Sequence, residues 1–310
     1  MSYKKVNIIM NTTAKDLLTE TMRRIDGAYA PSTIRAYKAN FERFIEFCIR
    51  MQASSLPANS RGIANYIAYL TKSGLKSASI RIAIAAISSV HKLNGFNDPT
   101  LHPDVKIELK RMHRSLGRSS KQAFGITKPM LEKMISATKD DLRGLRDKAL
   151  ILMAYDSLCR RAELVSIKIE DFQYSTNNHL NRIRLKRSKT DQEGIGTIVG
   201  LGDKTRLAIE KWLNGAKIKD GYLFRGVSNN KNISTKLSPG QINRIYKRLA
   251  KQANLTETEI KNISGHSIRV GAAQDLLKSG VSLPMLMQKG RWRKTETAMR
   301  YANEIDIFSI

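Results

Sequence analysis

The chain has 310 residues, of which 41% are hydrophobic, and its 54 Lys and Arg against 27 Asp and Glu give a formal net charge of +27. This length accommodates two domains of ordinary size. No apolar run approaches the roughly 18 residues that a membrane span needs. The short apolar stretch after Lys5 also lacks the length and the cleavage site of a signal peptide.

Cysteine use indicates a reducing setting. Cys48 and Cys159 are the only two cysteines, so the sequence predicts neither a disulfide framework nor a cysteine-based zinc site. A cytoplasmic location fits this pattern.

Positive charge is spread over the whole chain. Residues through Phe124 include 20 basic and 8 acidic side chains, a charge of +12, and the remainder includes 34 and 19, a charge of +15. Two basic halves favour a clamp that holds a polyanion from both sides, with duplex DNA as the expected ligand. Charge alone leaves a ribosomal or other RNA-binding protein open.

The first half predicts a helical bundle. Residues 1–14 are polar and uncapped, and we expect a flexible N-terminal arm there. Residues 15–116 form the expected helical domain, because apolar residues recur at helical spacing between Pro, Gly and Ser boundaries. The predicted helices lie at about 17–25, 31–48, 60–73, 77–93 and 103–116.

The second half reads as a mixed α and β domain over residues 128–310. A polar, basic stretch at 117–127 has no apolar period and is the expected interdomain linker, in which Lys121 can follow a phosphate backbone. Two alternating segments predict short strands around a loop whose tip carries Lys189. The strands are expected at 182–186 and 197–199, and the first helices at about 128–138, 142–157, 161–167, 203–214 and 238–253.

The C-terminal stretch concentrates polar groups in otherwise apolar helices. We predict Ser264 as the N-cap of a helix on which His266 and Arg269, three residues apart, share one face. The first turn of such a helix favours a bound phosphate. Further helices from about Pro284, ending at Gly290, and from about Thr295 lead to Tyr301. A lone His-x-x-Arg pair is usually a solvated helix face, so its partners decide the interpretation.

Two such partners lie earlier in the chain. Arg160 follows an apolar helix and is placed to contact a phosphate with two N–H groups. Lys189 is positioned to project into a groove, although a hairpin lysine taken alone is more often simply solvated. Histidine and arginine near a phosphate, with a tyrosine hydroxyl in reach, indicate phosphoryl transfer through a covalent phosphotyrosine.

Taken together, these residues resemble the active site of the tyrosine recombinases, the phage integrase family, in order and spacing. The N-terminal helical half is similar to the core-binding domain of that family, so the resemblance covers nearly the whole chain. The matching positions are Arg160, Lys189, His266, Arg269, Trp292 and Tyr301, within the segments 158–164, 187–190, 264–273 and 280–284.

The resemblance implies a mainly α fold in which an all-helical core-binding domain and an α+β catalytic domain with a small antiparallel sheet form a C-shaped DNA clamp. It implies duplex DNA with an inverted-repeat target site as the substrate. It also implies a homo-tetramer of two dimers on paired sites and accessory proteins in some systems. Neither a metal ion, a cofactor nor ATP is implied.

The resemblance also assigns roles. Tyr301 attacks the scissile phosphate to give a 3′-phosphotyrosine, and Lys189 protonates the leaving 5′-oxygen. His266 assists proton transfer at the tyrosine. Arg160 and Arg269 neutralise the charge on the nonbridging oxygens, and Trp292 donates its indole N–H to the phosphate. Glu163 orients either His266 or an arginine. Arg160, rather than the adjacent Arg161, is assigned from its distance to Glu163.

The residues that contact DNA bases are harder to identify from the sequence. Gly240 stands where one member of the family places a base-reading arginine, which implies a different target sequence. Candidates for DNA contact by their position on helices or in the linker are Arg35, Lys38, Lys76, Arg81, Lys121, Gln241 and Arg244.

Alternatives from other classes stay open at this point. A DNA-relaxing type IB topoisomerase shares the phosphotyrosine, but the helical N-terminal half favours a recombinase. A DNA-binding protein without catalysis is disfavoured by the complete set of catalytic residue types. An RNA-binding protein is weaker still, since no usual aromatic stacking motif is present.

Overall fold

A computed structural model of the chain describes residues 3–118, 122–174, 180–185 and 196–302. The chain divides into two compact units, residues 1–121 and 122–310. Their boundary lies inside the stretch 117–127 that we expected to be a linker. Within the described ranges, no helix is both long enough and apolar enough to cross a membrane.

The described part of the first unit is all helical. Apart from a 3-10 turn at Pro99–Leu101, it consists of α1 (Tyr3–Arg24), α2 (Pro31–Arg50), α3 (Ser60–Lys72), α4 (Ser77–Leu93) and α5 (Pro103–Leu116). From α2 onward these bounds agree with the predicted helices to within about two residues, which is the usual uncertainty of helix ends.

The first helix begins earlier than predicted. Residues 3–14, expected to belong to an irregular arm, are the first half of α1. Ala14, Leu18 and Met22 are buried at intervals of four, so the apolar stripe already starts inside the predicted arm. No glycine or proline interrupts the helix between Tyr3 and Arg24, and the packed C-terminal half therefore propagates backward.

A buried histidine in the first unit is structural. The ring Nδ1 of His91 lies 2.8 Å from the carbonyl oxygen of Ile87, and its Nε2 accepts a hydrogen bond from the backbone N–H of Ala58 at 2.9 Å. This pattern requires the neutral tautomer with its proton on Nδ1. Burial lowers the pKa of His91, which favours the same neutral form.

The described part of the second unit is mainly helical with one small sheet. Its helices are α6 (Lys128–Ser136), α7 (Leu142–Ser157), α8 (Arg161–Ser166), α9 (Asp203–Ala216), α10 (Pro239–Gln252), α11 (Glu257–Asn262), α12 (Ser267–Lys278), α13 (Leu283–Gly290) and α14 (Thr295–Ala302). The sheet contains β1 (Phe172–Tyr174), β2 (Leu180–Leu185) and β3 (Thr197–Gly200), antiparallel and in that order. The predicted fold class, a helical unit followed by a mainly helical unit with a small antiparallel sheet, is confirmed.

Two features of this unit position the polar residues of the C-terminal stretch. Helix α7 is buried from Ala149 to Ala154 and therefore lies in the core of this unit. Helix α12 lies directly against the backbone at Ile126, whose N–H donates to the carbonyl of Ser267 at 2.9 Å. A Cβ on Gly271 would stand 1.9 Å from the carbonyl oxygen of Ile126, so only glycine permits this approach.

Candidate active site

The turn after α7 places the first arginine. Leu158 ends α7 in the left-handed region, with φ of 49°, and Arg160 is the N-cap residue of α8. The Glu163 carboxylate accepts a hydrogen bond from the backbone N–H of Arg160 at 2.9 Å and one from its Nη1 at 2.7 Å. Arg161 is exposed, and its side-chain carbons lie against Gly265. Of the two adjacent arginines, Arg160 is therefore the one that pairs with Glu163.

Glu163 is the buried acid of the site. It is 5% exposed, and its second carboxylate oxygen lies 3.1 Å from Nη2 of Arg291. Burial alone would raise the pKa of Glu163, but the Arg160 backbone N–H and the two guanidinium groups hold that pKa below its ordinary value. Glu163 is therefore charged at neutral pH and is shared between two arginines.

The start of α12 differs in detail from the prediction. The helix begins at Ser267 with His266 as its N-cap residue, so Ser264 is not the cap. Instead, the Ser264 hydroxyl accepts the backbone N–H of His266 at 3.2 Å, and the Ser267 hydroxyl accepts the N–H of Ser264 at 2.8 Å. This local turn competes with helix formation, as serine side chains often do, and it holds His266 at the exposed end of the helix.

The imidazole of His266 faces positive charge. Partial desolvation is the largest effect and lowers its pKa. A backbone hydrogen bond at Gly265 opposes this in part, and the charges of Arg269, Arg161 and Arg160 lower the pKa further. The side chain keeps exposed area, so desolvation acts on only part of the ring. The ring is neutral at pH 7 and is able to accept a proton.

Arg269 is buried and firmly anchored. It is 3% exposed, its Nη2 donates to the carbonyl of Gly290 at 2.6 Å, and its Nη1 donates to the carbonyl of Leu158. Burial and the neighbouring Arg160 lower the pKa of Arg269 to about 10, which still leaves it positively charged at neutral pH. Two arginines thus converge on one place from different helices.

Trp292 connects Arg269 to Tyr301. The guanidinium carbon of Arg269 lies 4.4 Å from the centre of the Trp292 ring, a cation–π contact, and the Trp292 and Tyr301 ring centroids are 4.9 Å apart. Trp292 is 7% exposed and packs over Gly290, where an added Cβ would stand 1.9 Å from the indole. Tyr301 is half-buried on α14.

The structure thus brings together six of the seven predicted catalytic residues: Arg160, Glu163, His266, Arg269, Trp292 and Tyr301. The seventh, Lys189, and the linker candidate Lys121 lie outside the described residues.

The other DNA-contact candidates are distributed over both units. Arg35 and Lys38 lie on α2, Lys76 and Arg81 lie at the start of α4, and Arg244 lies on α10.

Gln241 has a structural partner as well. Its side-chain oxygen accepts the backbone N–H of Ser238 at 2.8 Å, which closes a capping box at the start of α10. The amide nitrogen of the same side chain is the group that can donate to a base. At the neighbouring Gly240, a Cβ would meet no atom within 4 Å, so the first turn of α10 has open space on that side.

Sequence reasoning gave no role to Arg291. It stood in the polar C-terminal stretch, directly before Trp292, but nothing in its spacing indicated a partner. Its side chain is 6% exposed and reaches Glu163, far away in the sequence. Such a pairing depends on how the end of α13 packs near the turn between α7 and α8.

Comparison with known proteins identifies the family of this chain. The model of the phage integrase family matches residues 125–306, and that of the phage integrase N-terminal SAM-like domain matches residues 22–93. An integrase/recombinase XerD homolog of Selenomonas ruminantium is 29% identical, covering 94% of this chain and 87% of its own. Recombinase Cre of Escherichia phage P1 is 26% identical, covering 81% of this chain and 77% of its own.

Solved structures show the same fold. The Tn1549 transposon integrase with circular intermediate DNA aligns at a TM-score of 0.64 and 13% identity, covering 95% of this chain and 96% of that one. XerH recombinase in a post-cleavage complex with palindromic difH substrate also aligns at 0.64, with 20% identity and coverage of 87% and 76%. Because the family match spans more than half of the chain, this protein belongs to the phage integrase family of tyrosine recombinases, the enzymes of site-specific DNA recombination.

Proposed function

We propose that this recombinase cleaves and rejoins duplex DNA through a 3′-phosphotyrosine on Tyr301. The observation that carries the proposal is the continuous contact of Arg269, Trp292 and Tyr301, which sets a candidate nucleophile beside an anchored cation. A phosphate bound at Arg269 and Arg160 would lie within reach of the phenol oxygen.

The proposed chemistry balances without an external energy source. The Tyr301 oxygen bonds to phosphorus while the bond to the 5′-oxygen breaks, and the phenol proton passes toward neutral His266. Lys189 gives a proton to the leaving 5′-oxygen. A 5′-hydroxyl from the second duplex then attacks the phosphotyrosine, which restores the phosphodiester and creates a Holliday junction after the first exchange.

The arginines supply charge stabilisation. Negative charge accumulates on the nonbridging oxygens in the transition state, and Arg160 and Arg269 are held by Glu163 and by backbone carbonyls before DNA arrives. Such preorganised donors lower the barrier because they need not reorient during the reaction. Trp292 would add its indole N–H and pack against the tyrosine helix α14.

We further propose the assembly that this chemistry needs. Two basic units hold an inverted-repeat site as a clamp, two dimers pair as a tetramer, and accessory proteins assist where the site requires them. The enzyme would act on DNA in the nucleoid, or in the nucleus of a eukaryote. The DNA-bound structures of the Tn1549 integrase and of XerH on a palindromic substrate support the proposed DNA ligand through the shared fold.

Covalent capture tests the nucleophile. The protein is incubated with library DNA without metal or ATP and denatured, and the attached DNA is sequenced; we expect attachment by the wild type and none by Tyr301→Phe. Tyr222→Phe is the control, because Tyr222 lies in the same unit with Lys168 and Lys236 over its ring, contacts that do not need the hydroxyl. An adduct in Tyr301→Phe, or tight binding without any adduct, would contradict the proposal.

A second assay separates recombination from relaxation. Two differently labelled duplexes that carry the captured site are mixed with the enzyme. A recombinase yields products with strands from both duplexes, whereas a type IB topoisomerase only relaxes supercoiled DNA.

A further inference from the structure

Arg291 is a buried cation that contacts two separate parts of the site. Its Nη1 donates to the carbonyl of Ser157 at 3.1 Å, and its Nη2 donates to the carbonyl of Leu158 at 3.3 Å and to Glu163 at 3.1 Å. Its Nη2 also lies 3.6 Å from the sulfur of Cys159. One side chain on the α13–α14 connection therefore holds the whole turn that precedes Arg160.

The backbone at both ends of this contact is constrained. Arg291 has a φ of 58° and Leu158 a φ of 49°, and neither is glycine. Left-handed backbone costs free energy for such residues and persists where surrounding contacts fix it. The first residue directly precedes Trp292, and the second lies two residues before Arg160.

Arg291 and Arg269 have different surroundings. Arg269 contacts the Trp292 ring and has Tyr301 near its charge. The described contacts of Arg291 are with main-chain carbonyls, Cys159 and Glu163, and its side chain is 6% exposed. Its guanidinium is therefore directed toward the turn before Arg160 and toward Glu163.

Glu163 is the link through which Arg291 reaches the phosphate-binding arginine. One carboxylate oxygen accepts a hydrogen bond from Nη1 of Arg160, and the other accepts one from Nη2 of Arg291. Without Arg291, the carboxylate would keep Arg160 as its partner but would no longer be fixed to the Trp292 segment.

We propose that Arg291 is a positioning residue for strand cleavage: through Glu163 it holds Arg160 in register with the segment that carries Trp292 and Tyr301. The inference rests on the proposed function, since it concerns the same cleavage step. Arg291 touches no reacting atom. It acts by fixing the distance between the segment that carries Arg160 and the segment that carries Tyr301.

A double-mutant cycle tests this role. Single-turnover adduct formation is measured on the duplex recovered by covalent capture, for wild type, Arg291→Ala, Glu163→Gln and the double variant, with DNA affinity measured separately. We expect Arg291→Ala to slow cleavage by about tenfold to a hundredfold while DNA affinity changes less than about twofold. In the Glu163→Gln background the same change should cost at most about threefold, because coupled residues are not additive.

A conservative variant and a control complete the design. Arg291→Lys keeps the charge and most of the stem but cannot bridge the carbonyls and the carboxylate together, so we expect an intermediate rate. If Arg291→Ala does not fold, the cycle is run with Arg291→Lys. Lys278→Ala, which removes a charge at the end of α12, should cleave at the wild-type rate.

The outcomes are distinguishable. Wild-type rates in the Arg291 variants, or an equal loss with and without Glu163, would overturn the positioning role while leaving the phosphotyrosine intact. A wild-type protein that forms no adduct would overturn the proposed function instead.

Discussion

His266 shows how partial burial and neighbouring charge together select a protonation state. Partial desolvation disfavours the imidazolium, and Arg269, Arg161 and Arg160 all act in the same direction on its pKa. A histidine in this setting is a proton acceptor at neutral pH rather than a fixed cation. Two of these arginines, Arg160 and Arg269, are also the proposed phosphate ligands, so the same charges that would bind the phosphate keep the proposed base neutral.

This charge state predicts a pH dependence. The pKa of His266 lies below its ordinary 6.5, so the imidazole is still mainly neutral when the pH falls to 6.5. Cleavage therefore declines only when the pH drops further, through the lowered pKa. Single-turnover adduct formation should show this acid limb, and His266→Gln should be slower and lack it. His102→Gln, in the first unit, should retain it. An unchanged acid limb in His266→Gln would contradict the assignment.

Gly290 determines where Trp292 can lie. Its Cβ, if present, would stand 1.9 Å from the indole, so Gly290→Ala must displace the ring from Arg269 and Tyr301. We expect a loss of about 1–3 kcal/mol in unfolding free energy, the usual cost of overpacking. Adduct formation should fall by roughly tenfold or more, because misplaced catalytic groups lose rate steeply. Chemical denaturation and single-turnover cleavage measure the two effects.

The matched control is Gly240→Ala. A Cβ at this position of α10 would have no atom within 4 Å, so the extra methyl meets no obstacle. Its unfolding free energy should stay within about 1 kcal/mol of the wild type. Equal destabilisation by both changes would show that ring contact at Gly290 is not the cause.

At the scale of elements, α10 joins a structural contact to an expected DNA contact. Gln241 caps the helix through Ser238, so Gln241→Ala should cost about 1 kcal/mol of stability through the lost hydrogen bond. Gln241→Glu keeps the acceptor and places a negative charge at the helix N-terminus, which favours the fold. It should nevertheless weaken DNA binding by about tenfold if α10 faces the phosphate-rich groove.

The pair of variants separates the two roles. Thermal unfolding reports the cap, and DNA affinity at fixed salt reports the contact with DNA. Wild-type affinity in Gln241→Glu would remove Gln241 from the DNA-binding surface and leave it as a capping residue.

Elements with long apolar stripes could be predicted from the sequence. The bounds of α5 and α7 agree with the prediction: α5 lies between Pro103 and Gly117, and α7 begins after its N-cap Asp141. Strand β1 was missed because three residues, Phe172–Tyr174, are too few to show alternation. The six-residue α11 was also missed, although the Thr256 and Glu259 capping box signalled its start.

The candidate site also contains residues that the sequence reveals and one whose role it does not reveal. His266, Arg269, Trp292 and Tyr301 lie close together in the sequence, so their motif is visible without a structure. Arg291 contacts Glu163 across more than a hundred residues, and only the packing of α13 near the end of α7 brings them together. The sequence offered charge at that position but no partner.

At the scale of the whole molecule, the question is whether both basic units hold the same duplex. Each phosphate contact releases counterions, so the logarithm of the binding constant falls with the logarithm of salt concentration in proportion to the number of contacts, with a slope of about −0.9 per contact. If the protein is a clamp, phosphate contacts in both units contribute to that slope. If DNA binds on one side only, the contributing contacts all lie in one unit.

Variants in each unit of the intact protein distinguish these cases. Removing Arg35 and Lys38 from α2, or Arg244 from α10, should each reduce the slope by about 0.9 for every phosphate that the variant no longer binds. Arg23→Ala is the control, because that exposed side chain already pairs with Glu20 at 2.9 Å. A slope that responds only to changes in one unit would contradict the clamp. Reduced slopes in both sets, with the control unchanged, would mean that the charge of both halves is used on one DNA molecule.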